Sequence, residues 1–90
     1  MDLYDYFHKK RKEEPNFNAH TFSDQLGISK SYLSMIINGR GAPSVILAFR
    51  IQDVTDGAVT FKDMMNWVEK NKDSILNRHS RRGSGYDKHT

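Results

Sequence analysis

The chain is predicted to be all-α: a compact bundle of five helices containing a helix–turn–helix, followed by a C-terminal tail expected to be disordered. Three observations carry that prediction. Apolar residues recur three and four positions apart in five segments, a spacing that collects them on one side of a helix. Side chains able to cap a helix N-terminus, Asp2, Asn18, Ser29 and Thr60, stand just ahead of four of these segments. Pro15, Gly27, the pair Gly39 and Gly41, and Gly57 fall between the segments, where helices stop.

The elements follow in order. A first helix runs from an Asp2 cap to about Glu14, with Leu3, Tyr6, Phe7 and the stem of Lys10 on one face. Pro15 stops it, because the residue before a proline is pushed out of helical geometry. Asn18 caps a second helix, Ala19–Leu26, whose Phe22 and Leu26 share a face. Gly27 follows, where a left-handed residue ends a helix at little cost. Ser29 caps a third helix, Lys30–Ile37, with Leu33, Ile36 and Ile37 as its apolar stripe and Asn38-Gly39-Arg40-Gly41 as its exit turn. Pro43 suits the start of a fourth helix, Ser44–Val54. Its Val45, Ile46, Leu47, Phe49, Ile51 and Val54 occupy more than one face, so it is expected at the buried centre. Asp56-Gly57 closes it. Thr60-Phe61-Lys62-Asp63 reads as a capping box with aspartate in the glutamate role. It opens a fifth helix to about Leu76 that presents Phe61, Met64, Met65, Trp67, Val68, Ile75 and Leu76.

Composition narrows the function classes. Ninety residues make one small domain, which excludes a multi-domain enzyme. With 37% hydrophobic and 28% charged residues the chain is globular, and without cysteine it has neither disulfides nor thiolate metal sites. No apolar run approaches the roughly 18 residues of a membrane span, and MDLYDYFHKKRKEE lacks the order of a signal peptide. A cytoplasmic setting without membrane attachment is expected. Residues 1–76, the expected domain, hold ten basic and ten acidic side chains. The net charge of +3 therefore comes from residues 77–90, where Arg78, Arg81, Arg82 and Lys88 face only Asp87. This tail has no aliphatic residue to offset its ordering entropy and is expected to be mobile. The run Lys9–Lys12 reads first as a solvated helix end, favourable with the helix dipole.

The most informative stretch is AHTFSDQLGISKSYLSMIING, residues 19–39. A short helix, a tight glycine turn and a serine-capped second helix meet the requirements of a helix–turn–helix. Ser23 is small where the helices cross, Gly27 permits positive φ, and Ile28 plugs the turn. Leu33 and Ile36 face the core, leaving Lys30, Ser31, Tyr32, Ser34 and Met35 for the outside.

Over roughly residues 17–66 the sequence resembles the DNA-binding domain of the phage repressor and Cro family. The resemblance rests on FSDQLGIS, KSYLSMI, Asn38-Gly39, the Pro43 entry and GAVTFKDM. It implies sequence-specific binding of double-stranded DNA. Lys30, Ser31 and Tyr32 would enter the major groove, with Met35 one turn later and Ser34 beside them. Asn38 and Arg40 would meet phosphate, and Ser29 would add a phosphate contact to its capping role. Where family members place a phosphate-clamping glutamine or threonine this chain has Ala19, so that role passes to His20 or Thr21. The resemblance also implies a homodimer on a palindromic operator, in a bacterial or phage-encoded repressor. Met64, Met65, Trp67 and Val68 of the last helix are the expected dimer surface, as apolar residues beyond what a thin bundle needs.

Two other readings stand beside this one. The chain can be an antitoxin that represses its own operon, its tail folding on a toxin partner. Alternatively it is a protein-interaction module without DNA binding, consistent with its near-neutral body. Catalysis and cofactors are not expected, since no nucleophile elbow, phosphate loop or assigned carboxylate pair is present. His8, His20, His79 and His89 lack metal-ligand spacing.

Overall fold

A computed structural model describes residues 1–77; of the tail expected over residues 77–90, Asn77 is helical and residues 78–90 lie outside the described residues. The described chain is all-helical: α1 (Leu3–Glu13), α2 (Ala19–Leu26), α3 (Lys30–Ile37), α4 (Val45–Val54) and α5 (Phe61–Lys70). A further helical stretch covers residues 72–77, making six helical segments among the described residues. α2 packs against α3 and α4, α4 against α5, and α1 against α3 and α5.

Local chemistry sets each helix start. The side chains of Asp2, Asn18, Ser29, Ser44 and Thr60 each accept the backbone N–H three residues on. Each bond satisfies an amide that the first helical turn leaves without a partner. α2 and α5 carry complete capping boxes, from Asn18 with Thr21 and from Thr60 with Asp63. The cap of α4 is Ser44, so the helix starts at Val45, one residue later than the expected Ser44, and Pro43 lies just before the cap.

The core is continuous. Leu3, Phe22, Leu26, Leu33, Ile36, Ile51, Val59 and Met64 are completely buried. Phe7, Phe17 and Phe22 form an aromatic cluster with ring centroids 5.2–6.2 Å apart, and Tyr6 closes its edge. Thr55, buried after α4, donates to Ile51 O at 2.7 Å and accepts from Val59 N at 3.1 Å, so its hydroxyl is not stranded.

Three expectations are corrected. The fifth helix does not run unbroken to Leu76: at Asn71 the backbone takes φ −104° and ψ 13°, and the Asn71 amide turns back to donate to Trp67 O at 2.8 Å. α4 is not wholly buried. Leu47, Ala48 and Ile51 face the core, whereas Val45, Ile46 and Phe49 are 59%, 71% and 51% exposed. Met64 and Trp67 do not form an outer face, because Met64 is completely buried and Trp67 is 6% exposed. Their stripe on α5 fills this chain's own core, with Met65 and Val68 half-buried on its flanks.

Candidate nucleic-acid interface

α2 and α3 are joined by a turn with little freedom. Gly27 has φ +71°, its N–H donates to Asp24 O at 3.1 Å, and Ile28 N–H donates to Ser23 O at 3.1 Å. This paired arrangement closes a helix C-terminus when a left-handed residue follows it. The half-buried Ile28 packs on the core, and buried Ser23 donates its hydroxyl to His20 O at 2.9 Å. From α4, Arg50 donates to Leu26 O at 2.9 Å and ties the turn to the rest of the bundle.

α3 is held at both ends. Ser29 Oγ accepts from Tyr32 N–H at 3.0 Å at its start. At its exit Gly39, with φ +73°, donates to Ile36 O at 3.1 Å, and Arg40 N–H donates to Met35 O at 2.8 Å. Trp67 Nε1–H reaches across from α5 to Ile36 O at 2.8 Å. Asn71 lies over Gly39 so closely that a Cβ there would collide with its Oδ1. Leu33, Ile36 and Ile37 are buried beneath the helix.

The sequence-predicted residues fall into three groups. Lys30, Ser31 and Ser34 are exposed on the outer face of α3, and Ser29, Asn38 and Arg40 are exposed at its ends. Asn38 Nδ2 donates to Ser34 Oγ at 3.3 Å, joining two of them. Tyr32 and Met35 are half-buried and not fully outside as expected. The Tyr32 ring packs on the core and its hydroxyl donates to Ala42 O at 3.0 Å, bracing the loop between α3 and α4. Met35 lies under Gly41, whose Cβ would meet Met35 Cβ at 3.4 Å. His20 is exposed, with Nε2 3.6 Å from Asp24 Oδ2. Thr21 is half-buried, and its hydroxyl both accepts from Asn18 N–H and donates to Asn18 O, each at 3.0 Å. That engagement leaves His20 as the freer polar side chain in the first turn of α2.

A groove of about 430 Å³ opens between these elements, lined by Phe7, Arg11, Asn18, Ala19, His20 and Lys30. It places two permanent cations, Arg11 and Lys30, beside the starts of α2 and α3, where helix dipoles leave partial positive charge. Such a concavity suits an anionic, phosphate-bearing ligand. In the sequence Arg11 reads as one cation in a solvated run, with nothing local to mark it. Only the fold shows its guanidinium 5.6 Å over the Phe7 ring and the residue on the wall of the groove.

A profile of the helix-turn-helix family, of lambda-repressor and Cro type, matches residues 8–60, more than half of the chain. The chain belongs to this family. The match spans the second half of α1, the α2–turn–α3 unit and α4, and so takes in the outer face of α3 and every groove-lining residue except Phe7. This helix-turn-helix protein is accordingly a DNA-binding transcriptional regulator. No curated protein and no solved structure matches the chain. Among the described residues no helix is long and apolar enough to cross a membrane.

Proposed function

We propose that the chain is a small repressor of phage or mobile-element type that reads duplex DNA sequence-specifically, as a symmetric dimer on a palindromic operator. The observation that carries the reading is the exposed first turn of α3, Lys30 and Ser31, standing beside the cationic groove. In this arrangement α3 enters the major groove. Lys30 donates to guanine O6/N7 or to phosphate, and Ser31 donates or accepts at a base edge. Ser34 lies one turn further along the same face, with the exposed part of Met35 available to a thymine methyl. Arg11 and His20 meet one strand's backbone, and Asn38 and Arg40 meet backbone at the helix exit. Tyr32 acts chiefly by holding the loop to Ala42, so its contribution is to position these groups. Asp24, beside His20, disfavours phosphate approach further along α2 and so helps set the register. One domain reads half a site, and two related by a dyad read half-sites about 34–36 Å apart.

The test is selection from a random duplex library with the parent and with a Lys30→Ala, Ser31→Ala variant, both changes being at exposed positions. Enrichment of a palindrome by the parent alone is expected. A folded parent that enriches nothing at low salt would refute DNA reading and favour a protein-interaction role. Equal enrichment by both proteins would move the reading surface away from α3.

A further inference from the structure

Six large apolar side chains are exposed among the described residues: Met1, Tyr4, Val45, Ile46, Phe49 and Leu76. Three of them share the first turns of α4, at positions i, i+1 and i+4, and so form one patch. Phe49 is also stacked on half-buried Phe61, with centroids 4.5 Å apart and planes 17° from parallel. Phe61 is itself pinned by its N–H donating to Gln52 Oε1 at 2.7 Å. The patch is therefore a rigid ledge, and covering it freezes few side-chain rotamers.

We propose that Val45, Ile46 and Phe49 are the surface through which two copies of this chain pair. The choice of a second copy as occupant rests on the dimeric DNA-reading assignment above, and three further observations favour it. Residues 41–49 carry no charged side chain, so the centre of the patch brings no like charges together when two copies meet, and the exposed Arg50 and Lys62 stand at its rim. The alternative occupant within the chain, residues 78–90, has no aliphatic side chain to offer. The ledge directly follows the loop braced by Tyr32 and Ala42, so pairing there joins two copies next to the exits of their α3 helices.

The size of the patch sets the strength of pairing. The three side chains expose roughly 300 Å² of apolar surface, at the lower end of a monomer's largest patch. A standard interface buries about 800 Å² per partner, so this patch can be the centre of a small interface only. Dissociation constants of roughly 10–500 μM are expected, with free chains mostly monomeric at low concentration and pairing completed on adjacent half-sites.

Sedimentation equilibrium of the full chain up to about 1 mM, above that range of dissociation constants, tests this directly. Three proteins are compared: the parent, Ile46→Lys, and Leu76→Lys as a control at another exposed apolar position. The parent's weight-average mass should climb from 10.4 kDa towards twice that value. Leu76→Lys should behave as the parent, and Ile46→Lys should pair at least about thirtyfold more weakly, since it buries an unpaired charge. A parent that stays monomeric throughout overturns the proposal, as does association weakened by Leu76→Lys and not by Ile46→Lys. Circular dichroism of each variant shows whether folding is intact, as expected for substitutions at exposed sites. A parent that pairs through α4 yet enriches no duplex would leave this surface standing and remove the DNA-reading assignment alone.

Discussion

Replacing Gly39 by alanine probes the exit of α3 at one atom. Two costs combine. The residue sits at φ +73°, where a side chain costs about 1–2 kcal/mol. The new Cβ would also lie 2.7 Å from Asn71 Cγ, forcing that side chain out and breaking its hydrogen bond to Trp67 O, worth about 1 kcal/mol. Gly39→Ala should therefore cost about 2.5 kcal/mol, a large share of the roughly 4–11 kcal/mol expected of a domain of this size. Asn71→Ala alone should cost about 1 kcal/mol. In the double variant the collision is gone and the bond is lost only once, so the total should again be about 2.5 kcal/mol, and not the additive 3.5. Urea denaturation of the four proteins, with unchanged m-values, gives the coupling energy. Costs that add to within about 0.3 kcal/mol would refute the idea that Gly39 is required by Asn71 and not by its φ alone.

Three further outcomes are expected. Arg50→Ala removes the donor to Leu26 O at the α2–α3 turn and should lower stability by about 1–2 kcal/mol, read from the urea midpoint. The Thr60 backbone N–H that donates to Asp63 holds its carboxyl below the ordinary aspartate value. With the folded value depressed, that stabilisation is present above about pH 4 and is lost as pH falls through the folded value. The parent should therefore lose more stability than Asp63→Asn between pH 5 and pH 2 in acid titrations followed by circular dichroism. Arg11→Ala should weaken binding of specific and random duplex alike and reduce the slope of log affinity against log salt by about 0.9. An unchanged slope in fluorescence anisotropy titrations would place Arg11 off the backbone.

The helices were legible because their ends are local. Asn18, Gly27 and Ser29 make their capping and turn hydrogen bonds within five residues of themselves, and α2 and α3 begin and end where the sequence places them. The orientation of the later helices was not legible in the same way. Met64 and Trp67 share a stripe whose spacing shows, but whether that stripe faces in or out depends on Ile36, thirty-one positions away. The same applies to α4, where a helix apolar on several faces reads as central, yet only Leu47, Ala48 and Ile51 are buried. Tyr32 illustrates the limit within the site itself. Its place in α3 was readable, but its bond to Ala42 exists only once the exit loop has folded back. Arg11 is the converse case, an ordinary cation in the sequence that α1 delivers to the mouth of a groove.

Trp67 is the chain's single tryptophan, and its indole N–H is bonded to a carbonyl in the last turn of α3. The molecule thus carries its own optical gauge of that helix, with no label required. In the folded protein a 6%-exposed indole should emit at short wavelength, shifting red as the core opens. Any ligand that draws the end of α3 away from α5 must stretch the bond at Ile36 and alter that emission, whereas one that docks on a rigid α3 will leave it unchanged. A plain fluorescence titration with duplex DNA can therefore separate a recognition surface that is ready-made from one that is adjusted on contact.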